Sequence, residues 1–162
     1  MGPKDIIAKT LDTSDFILRK YLEDLSDYDL KIRPVEGMNP IALQLGHLVG
    51  AERYFSELVQ PGSAPPLPSG FDDAHDLKKK DGDDSRFLTK DEYLKLYEIQ
   101  RAHLKEVLNS LPEDDLTDTR GGKLPPFAPT VADILNMAGV HSLGHSGQFI
   151  AVRRYLKKPI AF

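Results

Sequence analysis

The chain has 162 residues, of which 40% are hydrophobic and 28% are charged, and it contains no cysteine. This length and composition predict one globular domain over residues 1–162 and exclude disulfides, thiolate metal ligands and a cysteine nucleophile. The net charge of −4 comes without a concentrated basic stripe, so we expect no nucleic-acid partner. No stretch approaches the ~20 apolar residues that span a bilayer. We therefore expect no membrane partner and, given the missing cysteine, a cytoplasmic location.

The first half of the chain carries two predicted helices. Apolar residues recur at helical spacing from Asp5 to about Leu25, which predicts the first helix. Asn39 and Pro40 are the residue types of an N-cap and of a first helical position, so the second helix is predicted to begin there and to end before Pro61.

The second half carries two more predicted helices, each after an irregular stretch. Residues 61–88 are the longest connection, and a crossover between two parallel helices explains such a length. A capping box at Thr89 starts the third helix, which runs to about Leu111. Residues 112–129, with their paired glycines at 121 and 122, precede the fourth helix, which Thr130 caps. Four helices without a convincing strand predict an all-α four-helix bundle.

Three histidines are the strongest functional pattern. His141 and His145 are four residues apart, so they stand on one face of the fourth helix. His47 lies at the flank of the apolar stripe of the second helix. One imidazole from one helix and a pair from another predict a metal site, and three histidines with open positions are typical of catalytic centres. The alternative interpretation is that the three rings are buried and bind no metal.

Neighbouring polar residues are candidates for supporting roles. A metal-bound histidine donates its second ring N–H to an acceptor, and three side chains are candidates, among which the sequence does not choose: Gln44, Glu52 and Ser142. Gln148, one turn beyond His145 on the predicted core stripe, is a candidate to hold a metal-bound water or substrate, or else a helix-packing amide. Tyr54 is a candidate pocket residue or a core aromatic.

The remaining histidines and the nearby glycines are less informative. His75 lies in the long connection beside acidic residues, which predicts a solvated ring unless a lid brings it near the site. His103 lies on the flank of the third helix. Gly46 and Gly50 weaken the helix around His47, which indicates either close helix packing or space for a ligand.

Other metal and nucleophile motifs are absent. Carboxylate-bridged di-iron bundles need Glu-x-x-His, but no glutamate stands three residues before a helical histidine. A zincin protease needs glutamate after the first histidine of the pair, where this chain has Ser142. Adjacent helix residues face about 100° apart, so the His-Ser dipeptides are not catalytic triads by themselves.

Three segments together resemble the DinB/YfiT superfamily of small four-helix bundles. They are residues 39–53 around His47, the cap segment 130–135, and the run from His141 through His145 to Gln148. The resemblance implies an up-down-down-up bundle with a long crossover between helices 2 and 3, often dimeric. It also implies a divalent metal, usually zinc or nickel, held by His47, His141 and His145.

The resemblance implies a class of chemistry as well. Some relatives are transferases or isomerases that use a low-molecular-weight thiol, such as bacillithiol or mycothiol, as co-substrate. Where the family often has arginine after the last histidine, this chain has Ser146, which leaves the identity of the thiol open. The leading hypothesis is a metal-dependent thiol transferase, acting as a homodimer on small molecules. The alternative is a non-catalytic, metal-binding or stress-related dimeric module.

Overall fold

The computed structural model describes residues 1–78, 83–120, 124 and 126–162. Over these residues it contains five α-helices, which are α1 (Pro3–Leu22), α2 (Ile41–Val59), α3 (Phe71–Ala74), α4 (Lys90–Ser110) and α5 (Val131–Tyr155). Short 3-10 helices lie at Asp29–Lys31 and Glu113–Thr117. Over the described ranges there is no strand, and Thr119 and Thr130 form an isolated bridge. The all-α prediction is confirmed.

The helix starts predicted from capping residues are largely as expected. The Thr89 N–H donates to the Glu92 carboxylate at 2.8 Å while the Thr89 hydroxyl accepts from the Glu92 N–H, so the capping box of α4 is complete. Thr130 caps α5 in the same way. The assignment at the start of α2 was wrong by one residue, because the Pro40 carbonyl accepts the first intrahelical bond, from Gln44 N–H. Pro40 is therefore the N-cap, and Asn39 lies outside the helix.

Three parts of the predicted irregular stretches lie outside the described residues. They are residues 79–82 of the long connection, residues 121–123, which include the paired glycines, and residue 125. The rest of the long connection differs from an extended crossover, because it contains α3, which packs against α2. None of the described helices is long and apolar enough to cross a membrane.

The four long helices pack α1 against α5, α5 against α2, and α2 against α4. Lysines join the opposite ends of α1 and α4: Lys4 donates to the Leu111 carbonyl at 2.7 Å, and Lys90 donates to the Leu25 carbonyl at 2.6 Å. Cations at these carbonyl ends complement the helix dipoles. The up-down-down-up order stays a prediction, which the end contacts support because they place α1 and α4 antiparallel.

The core consists of two apolar clusters with a polar layer between them. Arg101 of α4 lies in this layer with a side chain 3% exposed, and it forms a bidentate ion pair with Glu52 of α2 at 2.8 and 2.6 Å. Its guanidinium also donates to Ser14 of α1 and to Ser142 of α5. Burial raises the pKa of the Glu52 carboxyl, and the adjacent guanidinium opposes this shift. One side chain thus joins all four long helices.

Replacing Arg101 tests how much this polar layer contributes to the stability of the fold. Arg101→Met leaves Glu52 as an unpaired buried carboxylate, so we expect a loss of about 3–5 kcal/mol in the free energy of unfolding. Urea denaturation of the purified variant measures it. The matched control is Arg19→Met, which removes a partly exposed ion pair with Asp15 and should lose only about 0.5 kcal/mol. Equal losses in the two variants would contradict the role of Arg101.

Candidate functional site

The structure brings together the three histidines singled out in the sequence. His47 comes from α2, and His141 and His145 come from successive turns of α5 on the side that packs against α2. One ring nitrogen from each residue lies within 4.8 Å of the other two. The Nε2 atoms of His47 and His141 are 3.2 Å apart. All three rings are half-buried, so the cluster lies at the edge of the core rather than at its centre.

The spacing of these nitrogens fits a metal ion. Two imidazoles that bind one zinc tetrahedrally at 2.0–2.1 Å hold their nitrogens about 3.3 Å apart, close to the separation of His47 and His141 Nε2. Without a cation, two such nitrogens approach each other only by sharing a proton. Neutral imidazole is a ligand for zinc, nickel, iron and copper, so the three rings suit a divalent metal of this group. A divalent metal could therefore bind this cluster.

The cluster keeps its rings neutral near pH 7. Burial, together with the charge that protonated neighbours would carry, lowers the pKa of His141 from 6.5 to about 4. Burial and His47 likewise lower the pKa of His145 to about 4. Burial also lowers the pKa of His47, although the carboxylate of Asp76 opposes that shift. Neutral imidazoles offer the lone pair that a metal requires.

Gln44 fixes the orientation of His145. The side-chain N–H₂ of Gln44 donates to the Asn39 carbonyl at 2.9 Å, so its carbonyl oxygen faces the other way. That oxygen lies 3.0 Å from Nδ1 of His145 and accepts its proton. His145 is therefore held as the Nδ1–H tautomer, in which the lone pair of Nε2 is available to a metal ion.

The other predicted supporting residues lie elsewhere. Glu52 and Ser142 belong to the Arg101 network. Gln148, which was predicted on the core stripe, is exposed. Tyr54 is 42% exposed rather than buried in the core, and it lines a cavity next to His47.

The expectation that His75 is solvated was wrong. Its side chain is buried, with 4% exposure, directly after α3. Nδ1 donates to the Phe71 carbonyl at 2.8 Å, and Nε2 accepts from the Tyr93 hydroxyl at 2.7 Å. The ring also contacts the aromatic ring of Phe71. The acidic neighbours suggested solvent exposure, but Phe71, four residues earlier, was the sequence signal for a packed turn.

The two glycines beside His47 allow α3 and His75 to pack closely against α2. A Cβ atom on Gly46 would lie 2.0 Å from Cδ2 of His75, and one on Gly50 would lie 3.1 Å from a carboxylate oxygen of Asp72. Glycine at both positions allows the His75 ring and the Asp72 carboxylate to approach the α2 backbone. This explains why two helix-weakening residues flank the histidine of α2.

A cavity of about 760 Å³ opens beside the histidines. His47 and His141 form part of its wall, and α3 with the residues that follow it forms another part. The apolar wall residues are Ala51, Tyr54, Phe55, Leu77, Leu124, Phe127 and Met137. The volume lies in the range of small-molecule sites, so a ligand in the cavity would touch the edge of the histidine cluster.

The fold and the site together define a class of protein. It is a small helical bundle in which two packed helices bring together three histidines that could hold a metal ion, beside a small-molecule cavity. The chain belongs to the DinB superfamily, whose family model matches residues 11–149 and so includes all three histidines. This confirms the resemblance seen in the sequence. No curated protein and no solved structure matches the chain at a significant level.

The close packing of His75 against Gly46 can be tested with two glycine variants. In Gly46→Ala the new methyl group overlaps the His75 ring, and we expect a loss of about 1–3 kcal/mol in the free energy of unfolding. Gly144→Ala is the matched control, because nothing beyond its chain neighbours and its own helix backbone lies within 4 Å of its Cβ position; it should gain up to about 1 kcal/mol from helix propensity. Urea denaturation measures both.

The double variant Gly46→Ala/His75→Ala removes the overlapping ring and should lose less stability than the sum of the two single variants. If Gly46→Ala is as stabilising as Gly144→Ala, the His75 ring does not pack against Gly46 as described.

Proposed function

We propose that His47, His141 and His145 hold one divalent metal ion, with zinc or nickel expected, and that the protein is a metal-dependent transferase of a low-molecular-weight thiol. The observation that carries the proposal is the convergence of three neutral ring nitrogens within 4.8 Å, from a cluster in which His47 and His141 line a cavity. Three protein ligands leave positions open for a reactant, as in catalytic rather than structural sites.

The chain's own residues have defined parts in this proposal. When bound, the metal would supply positive charge that favours the thiolate, the reactive form of a thiol. Gln44 holds His145 in the tautomer that presents Nε2. α3 and the buried His75 close one side of the cavity and restrict water there. Because the chain has no cysteine, the thiol comes from outside.

The identity of the thiol is not fixed by position 146. Ser146 is fully buried and donates to the Ser142 carbonyl at 2.8 Å, within its own helix. It therefore presents no charged group to the cavity. Relatives often have arginine at this position. In this chain, an anionic group on the thiol would therefore have to bind a different residue.

Metal content tests the first half of the proposal. Protein purified without an affinity tag should contain about one zinc or nickel ion per chain, and His47→Ala and His141→Ala should each lose most of it, since each removes a ligand. Elemental analysis of the purified proteins measures the content. The control is His103→Ala on α4, whose Nε2 lies 3.0 Å from the Ser63 hydroxyl. Metal content that survives the His47 and His141 substitutions would exclude this site.

A turnover assay tests the proposed thiol-transferase activity. The metal-loaded protein should join a thiol such as bacillithiol or mycothiol to chlorodinitrobenzene. In this reaction sulfur bonds to the ring carbon, chloride leaves with the bonding pair, and the thiol proton passes to solvent. Product absorbance should rise above the uncatalysed rate with wild type and with His103→Ala, but not with His141→Ala.

Absence of turnover with every physiological thiol, in protein that holds its metal, would favour the second candidate function, a non-catalytic dimeric metal-binding module. The outward face of α5 supports the homodimer that both candidates include, because the large side chains of Val140 and Tyr155 are exposed there. A light-scattering mass of one chain would contradict the dimer. A cytoplasmic location is part of the same proposal and rests on the missing cysteine.

A further inference from the structure

We infer that the cavity beside the histidines binds the apolar body of an organic substrate. This inference names the class of the second reactant and so rests on the proposed function. It is drawn from the chemistry of the cavity wall, and it assigns the cavity as the site where the group that accepts the thiol is held.

The first support is the apolar wall. Phe55 of α2 and Met137 of α5 line the cavity together with His47 and His141, while Leu124 and Phe127 come from the stretch before α5. Such a wall gains from contact with apolar ligand surface and offers few partners for polar groups. The cavity is continuous with His47 and His141, so an apolar ligand would have one end beside the proposed metal.

The second support is the exposure of aromatic rings at the cavity. Phe127 is 67% exposed and Tyr54 is 42% exposed, although both belong to the cavity wall. Large apolar side chains exposed together around a concave surface are typical of ligand sites. A ligand that filled the cavity would remove part of this surface from water.

A matched pair of ligands tests the inference on the protein as purified. The probes are 4-phenylbutan-1-ol and butane-1,4-diol, in which a second hydroxyl group replaces the phenyl ring. Isothermal titration gives the Kd of each. We expect the alcohol to bind about tenfold more tightly than the diol, because its ring adds apolar surface for the wall to bury. Equal affinity, tighter diol binding, or no saturable binding of the alcohol would overturn the inference.

Two phenylalanine variants locate the binding site. Phe127→Ser removes an exposed wall residue and should raise the Kd of the alcohol by about fivefold. Phe16→Ser is the control, because Phe16 is similarly exposed, at 60%, but lies on α1 against Phe162; it should leave the Kd unchanged. Leu124→Ser is a second wall variant, expected to act like Phe127→Ser, in case the first does not fold. Equal weakening in Phe16→Ser would overturn the assignment to the cavity.

Failure of this inference can be distinguished from failure of the metal site. Elemental analysis of the same samples reports the metal, while the alcohol probe depends on the apolar wall. Protein that holds metal but does not bind the alcohol would refute the cavity assignment alone. Protein that binds the alcohol, loses affinity in Phe127→Ser and holds no metal would support the cavity and refute the proposed function.

Discussion

The buried ion pair between Arg101 and Glu52 is the interaction on which the arrangement of the long helices depends. A guanidinium placed among apolar side chains is tolerated only when its donors are paired. Here the partners come from α1, α2 and α5, so satisfying one residue of α4 constrains the other three helices. A rotation or a shift of any of them by one residue would leave a buried charge or hydroxyl without its partner. Apolar packing alone tolerates such shifts more easily.

The histidine cluster inherits its geometry from this constraint. Ser142, which accepts from Arg101, is the residue next to His141, and Glu52 lies on the helix that carries His47. Fixing these two neighbours fixes the rotation of α2 and α5 about their axes. The ring nitrogens then meet within 4.8 Å without a direct bond between the network and the histidines. Gln44 completes the alignment, because its amide orients the third ring from the start of α2.

The features that the sequence predicted well depend on local interactions, and those it missed depend on contacts between distant segments. The capping boxes at Thr89 and Thr130 involve residues three apart, and the helical pair of His141 and His145 follows from helix geometry alone. The burial of His75 could not be predicted in this way, because it requires Tyr93 and the space above Gly46. The Arg101 network has partners 41 to 90 residues away. A helical arginine predicts solvent exposure when such partners are unknown.

Within the same chain, His75 shows how a purely structural buried histidine is arranged. Its two ring nitrogens are both satisfied by protein groups, the Phe71 carbonyl and the Tyr93 hydroxyl, and burial lowers its pKa just as it does for the cluster. His47 and His141 differ, since their Nε2 atoms face each other at 3.2 Å at the wall of a cavity. Without a metal these two atoms share one proton, whereas a cation at this spacing would engage the lone pairs of both rings. The contrast with His75 therefore supports the proposed metal site over a packing role for the three histidines.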